Sequence, residues 1–147
     1  MASDAYLAGL FDGEGSVSLR VAEYPGHTAA TSIGIAVGMI VEAPLRLLES
    51  RFGGRCYRDK RLTKAGNPVY RWEVTGTTAK HAVLTLLPLC IIKKPQLALA
   101  LEMIGLIELS KARIRGKGKG RPKPLPPLEK ELRTFLADEC RALNIKS

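Results

Sequence analysis

Cysteine is scarce in this sequence, and secretion and membrane signals are missing. The cysteines, Cys56, Cys90 and Cys140, are odd in number, far apart and in no metal-ligand spacing. They read as reduced thiols of an intracellular protein rather than as a disulfide framework or a zinc cluster. The opening MASDAYLAGL has no basic n-region and carries Asp4, so no secretory signal is expected. Pro88, Lys93-Lys94 and Glu102 break the longest apolar runs, so no segment is expected to span a membrane. Acidic residues are also absent from Lys111 to Lys123, where basic residues, glycine and proline alternate. What is present is 147 residues, nearly half of them hydrophobic, with a net charge of +9. That suffices for one domain with its own core. The clustered positive charge favours a polyanionic partner, nucleic acid ahead of an acidic membrane surface.

Periodicity predicts an α+β chain. Ser3 or Asp4 can cap a helix from about Ala5 to Gly13. The stretches SVSLRVAEY and TSIGIAVGM alternate apolar and polar residues across a YPGH turn, as half-buried antiparallel strands do. Pro44 suits the first turn of PLRLLESRF, which Gly53-Gly54 would end. RCYRDKRL and PVYRWEV read as two more strands joined by TKAGN, and Thr77 or Thr78 can cap a helix over AKHAVLTLL. Pro95 opens a long helical stretch, and LEKELRTFLADECRALN closes the chain as an amphipathic helix. The organisation is thus a core over 1–110, a basic Gly/Pro-rich linker over 111–127 and a C-terminal helix over 128–147. Helices should cover one sheet face. The other face should carry Ser18, Arg20, Ser32, Arg58, Lys60 and Arg71.

The stretch LAGLFDGEGSV, Leu7 to Val17, carries the chemistry. Glycine inside a helix costs about 1 kcal/mol relative to alanine. Ala5, Gly9 and Gly13 recur every four residues and would let a second backbone approach closely, while Leu7, Leu10 and Phe11 fall on another side. Asp12 and Glu14 lie at the negative end of the helix dipole, where anions are disfavoured unless a cation joins them. Two such helices packed along the small residues would bring two Glu14 carboxylates together, a hard-oxygen site suited to Mg²⁺. A solvated acidic turn is the other reading of the same residues.

LAGLFDGEG closely resembles the signature of the LAGLIDADG homing endonucleases. RFGGRCYRDKR, PVYRWEVTG and LLPLCIIKKPQLALAL look like that family's later segments in the expected order, so the resemblance reaches about Leu109. It implies the αββαββα fold, with a four-stranded antiparallel saddle that lies on double-stranded DNA. Position by position, it implies catalytic roles for Glu14 and Lys93, a divalent metal such as Mg²⁺ on Glu14 and the Gly13 carbonyl, and a more structural role for Asp12. Ala5, Gly9 and Gly13 would form the dimer interface. The saddle's outward residues would be Ser16, Ser18, Arg20, Tyr24, Ser32, Arg58, Lys60, Arg71 and Glu73, with arginine and lysine suited to guanine edges and Glu73 to a cytosine amine. The 111–123 stretch would touch phosphates.

Only one copy of the motif is present, which implies a homodimer. Two half-sites of about one DNA turn each then make a near-palindromic target of roughly 20 base pairs, cut to leave short 3′ overhangs. The gene would be intron-encoded, and the protein would act in cytoplasm or nucleoid, or in an organelle with its own genome. One departure stands out, because Met39 occupies a strand end where the family usually has a polar residue near the metal waters. The rival readings are an RNA maturase gripping intron RNA, a sequence-specific DNA-binding protein that does not cleave, and, on charge alone, a membrane-surface adaptor.

Overall fold

The computed structural model describes residues 2–22, 30–115 and 126–146. Helix α1 (Asp4–Glu14) starts where the Ser3 hydroxyl accepts the Tyr6 N–H at 3.1 Å. It runs directly into strand β1 (Gly15–Ala22), followed by β2 (Ala30–Met39). Helix α2 (Ala43–Phe52) has Pro44 in its first turn and leads to β3 (Arg55–Leu62) and β4 (Pro68–Thr75). Helices α3 (Lys80–Leu86), α4 (Lys94–Arg115) and α5 (Pro127–Lys146) complete the order. The sheet is antiparallel throughout, in the order β1-β2-β4-β3. The α+β arrangement expected from the alternation is therefore present, and the YPGH turn at 24–27 lies outside the described residues.

One sheet face carries Val17, Leu19, Ile33, Ile35, Val37, Trp72 and Val74, all buried. Leu7 and Phe11 of α1, Leu45 and Leu48 of α2, Val83 and Leu86 of α3, and Leu97 and Met103 of α4 join them in one cluster. Trp72 is completely covered, and its indole N–H donates to the Gly53 carbonyl at 2.9 Å. That bond explains the Gly-Gly pair. Gly53 and Gly54 adopt φ of 76° and 83°, and a side chain at Gly54 would run into the Glu73 carbonyl.

Two expectations shift. No threonine side chain caps α3; a single 3₁₀ turn over Gly76–Ala79 precedes it, and the Thr78 hydroxyl donates to the Thr75 carbonyl. Helix α4 continues to Arg115, into the stretch assigned to the linker, and 116–125 lie outside the described residues. Helix α5 is built into the core rather than appended to it. Leu136, Ala137 and Cys140 are buried there, and the Asn144 amide donates to the Val17 carbonyl at 2.9 Å. Buried Arg133 ties α5 to the Thr31 hydroxyl at 2.9 Å and is itself held by Glu129, one turn earlier in the same helix, at 2.9 Å. The helix thus covers the edge strand β1, whose free carbonyls would otherwise invite pairing with another chain. Among the described residues no helix is long and apolar enough to cross a membrane.

Truncating Leu136 to alanine should lower stability by about 2–5 kcal/mol, the usual cost of a buried leucine. A urea titration followed by the fluorescence of Trp72, the sequence's one tryptophan, checks this: the midpoint should fall at unchanged slope.

Candidate metal centre and nucleic-acid interface

Helix α1 is covered on one side and bare on the other. Leu7, Ala8 and Phe11 are buried and Leu10 is half-buried, whereas Ala5, Gly9 and Gly13 are exposed. A Cβ added at Gly9 or Gly13 would meet nothing within 4 Å. The small-residue stripe is therefore free for a second backbone. Glycine is obligatory one step later: a side chain at Gly15 would collide with the carbonyl and ring of Phe11, where helix passes into strand without a loop. Glu14 is exposed at this end, and no basic residue occupies the helix's last turn.

Asp12 is occupied differently. Its Oδ2 accepts the Ile91 N–H and its Oδ1 the Lys93 N–H, each at 2.9 Å. Burial pushes this carboxyl up, but the amides of Lys93, Ile91 and Ile92 outweigh it and hold the group below its ordinary value of 3.8. The adjacent Cys90 thiol donates to the Ala8 carbonyl at 3.5 Å. Burial, and secondarily the Asp12 charge, push that thiol up to about 11, so it is inert packing. Asp12 therefore pins the segment preceding α4 to the end of α1. The Lys93 backbone is thereby held at the end of α1 where Glu14 is exposed, and Lys93 itself is half-buried. Ile91 and Ile92, 82% and 58% exposed, sit beside this junction. The sequence reading missed them, although two adjacent isoleucines just before a lysine pair were the available signal.

A single chain offers the metal little. Among the described residues no three His, Cys, Asp or Glu side chains lie close enough to hold an ion. The donor chemistry nevertheless fits a hard divalent cation, because Glu14 presents a solvent-facing carboxylate at an uncompensated negative helix end. Met39 lies opposite Tyr70 and is half-buried against the core, so it brings no polar group to this region.

The outer sheet face carries Ser16, Ser18 and Arg20 on β1 and Ser32 on β2, all exposed, with Arg20 directly opposite Ser32. Arg71 and Glu73 of β4 lie opposite Gly38 and Ala36 of β2. The outward positions of β2 are thus all small and form a trough between charged flanks. Tyr24 lies outside the described residues. The expectation for β3 needs correcting by one step. Arg58 pairs with Tyr70 and Cys56 with Trp72, so Arg58 stands on the core-side face rather than the outer one. Lys60 shares its parity and falls in the irregular stretch between Arg58 and Leu62. The outward residues are instead Arg55, opposite Glu73, and Tyr57, opposite Arg71. In a strand basic on both faces only Cys56 marks the buried side, and a one-residue slip flips every side chain. Asp59 pairs with Arg61 at 2.9 Å, and that guanidinium holds the carboxyl down at about 2.

No protein-family model and no curated protein matches the chain. Solved structures do. The homing endonuclease I-CvuI in complex with its target, in the presence of calcium, superposes with a TM-score of 0.71 at 19% identity, over 95% of this chain and 80% of that one. The archaeal intron-encoded homing endonuclease I-Vdi141I, complexed with DNA, gives 0.61 at 14% identity over 97% and 96%. The LAGLIDADG homing endonuclease I-GzeII, in complex with a DNA target, gives 0.64 at 11% identity over 97% of this chain but 44% of its own. The chain has the fold of these proteins.

Replacing Asp12 by asparagine should cost about 1–3 kcal/mol, because an amide group would face an N–H that loses its acceptor. The native carboxyl titrates below its unfolded value, so its contribution is fully present above pH 3.8 and lost as pH falls through the native value. Denaturation midpoints of the two proteins should therefore run parallel from neutral pH down to about pH 4 and converge below it.

Proposed function

We propose that this chain, built on the LAGLIDADG homing endonuclease fold, is a homodimeric, metal-dependent, site-specific DNA endonuclease. The observation that carries the proposal is the end of α1: an exposed carboxylate at Glu14, with no basic residue in the helix's last turn, beside a small-residue stripe open to a second backbone. Charge and surface support it. The sequence is strongly basic, and its outer sheet face is a trough of small residues flanked by arginines. Ile91 and Ile92 add exposed apolar area next to the stripe, where a partner helix would cover them. The buried free thiols suit a reducing compartment that contains DNA.

In the dimer, Glu14 and its symmetry mate, with the Gly13 carbonyls, would hold the divalent metal. A divalent metal bound there supplies a Lewis acid and an activated water. Lys93, whose backbone amide Asp12 holds, would bring its ammonium against the charge that grows on the attacked phosphate. The two-fold axis makes the target a near-palindrome of roughly 20 base pairs, one turn to each half. The cuts, one to each strand across the minor groove, leave short 3′ overhangs.

Glu14→Gln should reduce Mg²⁺-dependent cleavage at least about 100-fold, the upper range for losing even a supporting partner of a metal ligand. Binding in Ca²⁺ should persist. A randomised palindromic duplex library, sequenced after cutting and after binding, reads both. A wild type that enriches a bound site without cutting it would favour a non-cleaving reader, and stronger competition by RNA than by duplex DNA would favour the maturase. Gly9→Leu should leave a folded protein, since a Cβ at this exposed position meets nothing within 4 Å and leucine is the better helix former by up to about 1 kcal/mol. Sedimentation should then find monomer where the wild type is dimer, with double-strand cutting lost.

A further inference from the structure

We infer that Glu73 is a positioning residue that fixes Arg71 as a guanine reader in the middle of the saddle, with Arg55 as its second arm. The inference rests on the DNA-reading proposal above. By residue type alone a glutamate on this face is suited to a cytosine amine. The geometry points elsewhere, because both of its oxygens are engaged. Arg55 Nη2 donates to Glu73 Oε1 at 3.0 Å, and Arg71 Nε donates to Glu73 Oε2 at 3.4 Å.

The atom used on each arginine matters. Arg71 is held through Nε, which leaves its two terminal nitrogens side by side as a fork. Guanine presents O6 and N7 side by side in the major groove, the acceptor pair that fork fits. Arg55 is held through a terminal nitrogen, with its guanidinium over the Tyr57 ring at 4.5 Å, so one nitrogen of its terminal fork is already engaged. Asp59 makes its direct pair with Arg61, and only its charge reaches Arg71.

Position and exposure agree. Arg55 faces Glu73 and Tyr57 faces Arg71 across β3 and β4, a two-by-two block whose β4 half lies inside the sheet rather than at its edge. The Arg71 and Glu73 side chains are 33% and 25% exposed, against 71% for Arg55, so the Arg71 pair is the less screened. Across the other side stand only Gly38 and Ala36, which leave room for a base edge. One carboxylate between two guanidiniums leaves a net positive charge, so the trio still attracts DNA. Ordering Arg71 before binding also removes part of the entropy cost of recognition.

The test compares full-length wild type, Glu73→Gln, Arg71→Ala, the double variant and Arg71→Lys, by sequencing a duplex library bound in Ca²⁺. The wild type should prefer a symmetric pair of guanines that Arg71→Ala abolishes. Glu73→Gln should weaken that preference roughly fivefold or more, within the range a bidentate contact supplies. It should leave other positions and the melting temperature unchanged, and add nothing when Arg71 is already alanine. Arg71→Lys keeps the charge and lacks the fork, so it should lose the guanine preference while keeping the salt dependence of binding. A cytosine preference lost in Glu73→Gln but kept in Arg71→Ala would overturn the inference, because Glu73 would then read a base itself. So would a uniform change in affinity at every position, the mark of a merely structural role. A wild type that enriches a site insensitive to Arg71 would sink this inference and leave DNA reading intact, whereas one that enriches no duplex would sink both.

Discussion

The carboxylate of Asp12 is the joint on which the candidate site depends. It comes from the last turn of α1 and closes on backbone amides about eighty residues later, at Ile91 and Lys93. Those amides belong to the segment that leads into α4, so one side chain both ends the first helix and sets where a later one begins. Hydrogen bonds from neutral amides to a charged acceptor are stronger than those between neutral groups. The cost of burying part of the carboxylate is more than met, as its lowered titration indicates. Because Asp12 is committed in this way, Glu14 is the motif acid left facing solvent. The two carboxylates of the DGE triplet thus divide into an anchor and an exposed group, and the division follows from which amides lie within reach.

The second constraint is that α1 is used on one side and left bare on the other. Its Leu7 and Phe11 are fully covered by the core, and its other side exposes the small residues Ala5, Gly9 and Gly13 together with Tyr6. Such a helix has a weak amphipathic pattern because glycine is neither apolar bulk nor polar. The glycines cost helix stability and return nothing within the single chain, since no atom lies near the positions their side chains would fill. That local loss is understandable if another backbone is to occupy the space, which is the sense in which the proposed dimer accounts for residues that the isolated fold does not need.

The strands were legible where one face is plainly apolar. Val17 and Leu19, and Ile33, Ile35 and Val37, alternate against serines and small residues, and their pairing has the register that alternation implies. Trp72 and Val74 mark β4 equally well. Strand β3 was misread because Arg55, Arg58, Lys60 and Arg61 put charge on both faces, leaving Cys56 as the lone marker of the buried side. The place of α5 in the core was not legible either. Its contacts are long-range, Arg133 to Thr31 and Asn144 to Val17, and no local pattern announces them. Within the motif the small stripe could be read from spacing, whereas the use of Asp12 by distant amides could not.

The fold keeps apart two jobs that ask opposite things of electrostatics. The end of α1 brings two carboxylates to a negative helix end with no basic residue in its own last turn, a condition that a cation would relieve. The outer sheet face does the reverse, carrying arginines whose charge is partly tempered by Glu73 and Asp59 rather than left bare. A fully unpaired basic face would grip any polyanion through counterion release, with affinity but no register. Carboxylates placed among the arginines lower that indiscriminate attraction and hold the donors in fixed directions, so that contact with a base edge counts for more than contact with a phosphate. The same residue type therefore stands exposed at the end of α1, as the proposed metal role requires, and between cations on the sheet, where it orients them, and the local neighbours decide which.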